Sequence, residues 1–307
     1  MTSSFSLEGY GSPRDPSSDQ PDPKPDEIAI PGTTWKKVDY QNATDIAVAL
    51  SGVDTVLSFI IVYTEGAETA QKNLIDASIK VGVKRFAPSE WSCGDVSSLS
   101  WYVGKQIIRD YLVEVNKMKK VLEYTLFQPG LMMEYYTWPY VWHKYIKPLQ
   151  IPIEFSGRRA ILVQDQSRQE ITFTSVDDIV RIVTKALEYK GKWPLIGGIS
   201  GNKPVSMTGL ISLGEKIRGK PWTVDKLRLA DVQAGVLNST WIPMPNHNSV
   251  ANMTQEEREA FGKVITKGML LSFGTGAWKA ADEWNRLVGG KYKSHKSFLE
   301  EIWAGKP

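Results

Sequence analysis

The chain has 307 residues, with 37 basic against 34 acidic side chains and a net charge of +3, so no strong bulk field marks it for nucleic acid or an acidic membrane. Hydrophobic residues make up 42% and charged ones 23%, ordinary globular usage that excludes disorder throughout. One cysteine (Cys93) rules out an internal disulfide, and three scattered histidines (His143, His247, His295) lack the spacing of a metal centre. No apolar run approaches the roughly 20 residues of a membrane span, and the first residues lack the layout of a secretion signal. A cytoplasmic protein without a bound metal is expected.

Met1–Asp26 holds six Ser, five Pro and two Gly. With so little apolar surface it reads as a flexible arm. From 27 on, strand and helix signals alternate. TTWKKVDY (Thr33–Tyr40) looks like a strand, Asn42–Leu50 like a helix stopped by Gly52, and VDTVLSFII (Val53–Ile61) like a strand covered on both faces. Ala67–Val81 follows as a helix ended by Gly82, then the strand KRFAP (Lys84–Pro88). Gly104–Lys119 carries Ile107, Ile108, Tyr111, Leu112 and Val115 at helical spacing, and YTLFQ (Tyr124–Gln128) returns as a strand broken by Pro129-Gly130. Units of this kind predict a doubly wound parallel α/β sheet. Beyond about 150 the rhythm changes to short strands, helices at Val176–Tyr189 and Met207–Arg218, and a mostly helical tail from Thr254. The expected organisation is therefore an arm at 1–26, a nucleotide-binding portion at 27–150 to which 170–190 returns, and a smaller α+β portion over 151–307.

Ligands of open α/β sheets bind beyond the carboxyl ends of the strands. Ser58-Phe59-Ile60, Pro88-Ser89-Glu90-Trp91 and Gln128-Pro129-Gly130-Leu131 occupy such places, although strand ends are also where turns ordinarily occur. Lys105, near the start of a helix, could point into the same cleft and serve acid–base chemistry; a solvated helix lysine is the plain alternative. YYTWPYVWHKY (Tyr135–Tyr145) holds four tyrosines and two tryptophans, suited either to walling a flat substrate or to core and subunit packing. Gly214–Lys220 fits a phosphate-loop pattern, but Pro221 replaces the Ser/Thr and the run ends a helix. Asp177-Asp178 reads as helix capping and dipole complementation.

Taken in order, GVDTVLSFI (Gly52–Ile60), GVKRFAPSEWS (Gly82–Ser92), the Lys105 helix, YTLFQPGLMMEYY (Tyr124–Tyr136), SVDDIVRIVTKALE (Ser175–Glu188) and MTGLISLGEKIRGKPW (Met207–Trp222) resemble the NmrA-like and isoflavone-reductase-like family of atypical short-chain dehydrogenases. The resemblance implies a Rossmann-like fold with an NAD(P)-binding half and a substrate half. It implies Lys105 as the active-site lysine. The cofactor-lining residues implied are Ser58, Phe59, Ile60, Pro88, Ser89, Lys105, Pro129, Gly130 and Leu131. On the substrate side stand Glu90, Trp91, Met132, Tyr135, Tyr136 and Trp138. The implied cofactor is NADPH ahead of NADH, and the implied activity is reduction of a small aromatic or polyketide-like molecule.

One departure stands out. The family opens with an apolar strand and a GxxGxxG-type turn that holds the pyrophosphate. Ahead of Thr33 this chain offers only Gly9-Tyr10-Gly11, with no third glycine and no strand before it. Impaired cofactor binding is the consequence expected, together with an uncovered sheet edge at Val53–Ile61 that a second copy or another partner would cover. The competing function is a non-catalytic, dinucleotide-sensing regulator, or a degenerate family member.

Overall fold

Strand and helix alternate along the chain as the periodicity predicts, and the elements of the first unit are shorter than the segments expected for them. The computed structural model describes residues 32–61, 66–166, 169–246, 250 and 252–306; the arm expected at 1–26, with Gly9-Tyr10-Gly11 inside it, lies outside the described residues. The chain divides into two compact units, one of residues up to Glu90 with Trp101–Leu126 and Gly191–Ile196, the other of Trp91–Ser100, Phe127–Lys190 and Gly197 onward. Residues 127–150 and 170–190 both belong to the second unit. Backbone pairing explains why those two stretches stay together, since Leu131 and Met132 run parallel to Phe173 and Thr174.

In the first unit, Asn42 caps helix α1 (Ala43–Ala49) by accepting the N–H groups of Thr44 and Asp45, a contribution of about 1 kcal/mol. The run VDTVLSFII narrows to strand β1 (Thr55–Leu57), which pairs in parallel with β2 (Arg85–Ala87), and β2 in turn with β3 (Glu123–Tyr124). Helix α2 (Ala67–Lys80) lies between β1 and β2 in sequence, and helix α3 (Val103–Val115) between β2 and β3. Parallel neighbours require such crossovers. The helices bury Ile46, Leu74, Ile75, Ile108 and Leu112 against Val56, Phe86 and Leu122.

The order β1-β2-β3 leaves β1 outermost among the described residues. Thr33–Tyr40, expected as a strand, joins no ladder there. A strand exists only through inter-strand hydrogen bonds, and no strand ladder among the described residues includes this segment. Its Val38 and Tyr40 still pack on the core.

In the second unit, Arg159–Val163 pairs in parallel with Thr223–Leu227 and antiparallel with Ile153–Glu154. Helix α4 (Val176–Glu188) starts at Ser175, whose hydroxyl accepts the Asp178 N–H. Helix α5 (Met207–Arg218) ends at Gly219 in the left-handed conformation, φ +64°, so Gly214–Lys220 is a helix end. Trp222 packs on Gly214, where a Cβ would collide with the indole ring. The tail is helical over Gln255–Thr275, Glu283–Val288 and His295–Trp303, the first of these opened by a Thr254–Glu257 capping box. No helix among the described residues is long and apolar enough to cross a membrane.

Candidate functional site

Lys105 lies on the apolar stripe of α3. Positions 105, 108 and 112 share one helix face, and Ile108 and Leu112 are buried there. The lysine is therefore drawn inward with them and is only 6% exposed. Its ammonium meets the loop that follows β2. Nζ donates to the carbonyl oxygens of Ser89 at 2.8 Å and Glu90 at 2.5 Å. It also stands 4.5 Å from the centroid of the Tyr102 ring, a cation–π distance. The solvated-lysine reading is thus overturned by burial. The loop is fixed from α2 as well: the Ser89 N–H donates to the buried Gln71 Oε1 at 2.7 Å. The Glu90 carboxylate is buried and paired with the Arg109 guanidinium, through both Nη2 and Nε.

The neighbouring strand end belongs to the same unit. The Ser58 N–H donates to Ala87 O at 2.8 Å, which continues the β1–β2 register one residue beyond the strands. Its buried hydroxyl accepts the Ile60 N–H at 3.4 Å. Ile60 and Pro88 are buried, whereas Phe59 is 57% exposed. The first unit therefore brings together Ser58, Phe59, Ile60, Pro88, Ser89, Glu90 and Lys105.

The remaining candidates stand in the second unit. Trp91 has a left-handed φ of +38°, uncommon for a bulky residue, and its ring stacks on Phe127 with centroids 5.1 Å apart. Gly130 turns the chain at φ +72°. Leu131 and Met132 then pair with Phe173 and Thr174, and the Thr174 hydroxyl donates to Pro129 O at 2.8 Å. The aromatic run divides by burial. Tyr136 is a core residue, edge-on to Phe155 and Phe173, and burial raises the pKa of its phenol above the ordinary value. Tyr135 and Trp138 are half-buried, while Trp142 and Tyr145 are exposed. Tyr136 and His295 border a narrow apolar crevice with Met133, Phe173, Leu210 and Leu299, and desolvation lowers the His295 pKa.

Sequence reasoning missed Gln71, Tyr102 and Arg109. Only Arg109 had a readable signal, a second cation one helical turn after Lys105; the partner of Gln71 lies 18 residues away.

A family model described as the NmrA-like family matches residues 18–280. The chain belongs to the NmrA-like family. Among curated proteins, this NmrA-like chain is 36% identical over 108 residues to the oxidoreductase aprR of Aspergillus flavus, a match covering 33% of the chain and 35% of that protein. The match thus spans about a third of the relative's length. Solved structures share the fold. The NADPH-dependent quinone oxidoreductase QOR2 of Escherichia coli superposes with a TM-score of 0.59 at 17% identity, over 89% of this chain and 84% of that one. The triphenylmethane reductase of Citrobacter sp. gives 0.58 at 15%, over 88% and 84%. Leucoanthocyanidin reductase from Vitis vinifera gives 0.57 at 14%, over 89% and 86%. The Rossmann-like α/β architecture expected for an NmrA-like chain is thereby established.

Proposed function

We propose that this NmrA-like chain is an NAD(P)H-dependent reductase of a small aromatic or polyketide-like molecule, with Lys105 as its acid–base group. The observation that carries the reading is the buried Lys105 ammonium, held by two carbonyls of a strand-end loop. A cation with so little exposure has a defined position from which to donate a proton or orient a hydroxyl. The curated relative is an oxidoreductase, and two of the fold neighbours are complexed with NADPH or NADP(H), which supports a nicotinamide cofactor and favours the phosphorylated form.

The donor set suits the sugar and nicotinamide end of such a dinucleotide. Ser58 and Ser89 stand beyond adjacent parallel strands, Lys105 supplies an ammonium beside them, and Phe59 presents a largely exposed ring. When bound, a reduced nicotinamide supplies the hydride. Lys105 then contributes the proton, or the hydrogen bond, that neutralises oxyanion charge developing on the substrate. Met132, Tyr135 and Trp138, which the resemblance implies on the substrate side, are half-buried within the second unit.

The test is oxidation of NADPH and of NADH with a panel of enones and quinones, run beside Lys105→Ala. Turnover that depends on Lys105 supports the proposal; no turnover with any acceptor refutes it. A second reading, a dinucleotide-sensing regulator, is favoured by the sequence Gly9-Tyr10-Gly11, which does not match the family's GxxGxxG pattern. It predicts binding of a dinucleotide or a partner with no cofactor oxidation.

A further inference from the structure

Glu90 is held at both ends by one helix, its main-chain carbonyl by Lys105 and its carboxylate by Arg109. We propose that Arg109 is a positioning residue for Lys105, acting through Glu90: the buried pair fixes the carbonyls that hold Nζ and neutralises the negative charge next to it. The inference rests on Lys105 being the acid–base group of the proposed reductase.

Lys105 and Arg109 are four residues apart on α3 and so share a face. The Glu90 side chain is 2% exposed and that of Arg109 12%, so solvent screens their attraction little. A guanidinium fork that donates through two nitrogens sets the direction of the carboxylate as well as its distance. The other side of the loop is tied by Gln71 to the Ser89 N–H. Both carbonyls that receive Nζ are therefore anchored independently of Lys105 itself. A four-carbon stem would otherwise spread Nζ over several rotamers.

Several charged, titratable and polar groups among the described residues face Lys105 or the loop that holds it. The loop contributes Glu90, and α3 with the turn before it contributes Arg109 and Tyr102. From α2 comes neutral Gln71, while Asp76 and Lys72 of that helix are engaged with Tyr111. Neutralising one member of the Glu90–Arg109 pair should thus reach Lys105 with a sign set by the member that remains.

Arg109→Gln leaves a carboxylate without its guanidinium and should raise the Lys105 pKa by about one unit. Glu90→Gln leaves a guanidinium and should lower it by a similar amount. The double variant, Glu90→Gln with Arg109→Gln, should return it close to the starting value. The shifts can be read by NMR of the 13C-dimethylated full chain, with the Lys105 signal assigned by Lys105→Arg. Neither cofactor nor substrate is needed. A failure of the inference is therefore distinguishable from a failure of the reductase reading, which full activity of Lys105→Ala would expose.

Loss of packing alone would move both single variants in the same direction. Shifts of one sign, or none, in folded variants overturn the inference. If a single variant does not fold, Arg109→Lys keeps the charge and loses the fork. It should leave the Lys105 pKa in place and lower kcat by about tenfold to a hundredfold at little change in KM, as misplacement of a reacting group does. Unchanged kcat in Arg109→Lys overturns the inference as well.

Discussion

Replacing Gly130 by alanine probes the turn that delivers Leu131 and Met132 to the second unit's sheet. Gly130 has φ +72°, and a Cβ there would lie 2.5 Å from the carbonyl oxygen of Thr172 and 3.2 Å from its carbonyl carbon. Two costs combine. A non-glycine residue in the left-handed region costs about 1 kcal/mol. The contact with Thr172 O is closer than any real Cβ tolerates and involves backbone, so the strand must shift. That movement strains the hydrogen bond from Leu131 N–H to Thr172 O, 3.0 Å in the native chain, and overpacking of this kind costs about 1–3 kcal/mol. The expected loss is about 2–4 kcal/mol, or about 3–6 °C in Tm at this size. Urea and thermal unfolding would measure it. Gly219→Ala is the internal control. Its φ is +64° but nothing lies within 4 Å of the added carbon, so only the conformational cost of about 1 kcal/mol applies. Equal losses in the two variants would refute the steric part of the reasoning. A Gly130→Ala protein as stable as the parent would refute all of it.

Other outcomes follow from the same geometry. Lys105→Ala should cut turnover by about 10²–10⁴, the range for an acid–base group, and full activity would remove Lys105 from the chemistry. Isothermal titration of the 307-residue chain with NADPH should show weak binding, because the sequence around Gly9-Tyr10-Gly11 does not match the GxxGxxG pattern. Losing two charge-assisted contacts of about 1.5–3 kcal/mol each weakens affinity by about 10²–10⁴, so a low-micromolar Kd would contradict the expectation. Burial lowers the His295 pKa, so the folded chain favours the neutral ring. Protonation then favours the unfolded chain, and stability should fall as pH drops from about 6.5, the unfolded value, towards the lower folded pKa. In His295→Gln this part of the pH slope should vanish; an unchanged slope in urea titrations between pH 7 and 5 would show that another group causes it.

Local chemistry made much of the chain legible before any coordinates. The α5 helix ends at Gly219 because a left-handed C-cap suits glycine, a signal contained in a few consecutive residues, whereas the capping expected of Asp177-Asp178 at the start of α4 is done by the Ser175 hydroxyl, which accepts the Asp178 N–H. The alternation from α1 to β3 was readable for the same reason, since a run such as VDTVLSF needs only its own β-branched residues to favour extension. Lys105 was visible as a candidate from the α3 stripe, but a helix lysine has no intrinsic address. Its burial comes from the loop carbonyls of Ser89 and Glu90, which β2 brings alongside α3, and from Gln71 and Arg109 fixing that loop. Asp178 shows the same limit. Read locally it complements a helix dipole, yet its carboxylate is buried and accepts the Lys293 N–H, 115 residues along the chain. The strand expected at Thr33–Tyr40 and the aromatic run Tyr135–Tyr145 likewise depended on neighbours distant in sequence. Ladder pairing and burial are properties of two segments together, so periodicity within one segment proposes them and only the packed chain decides.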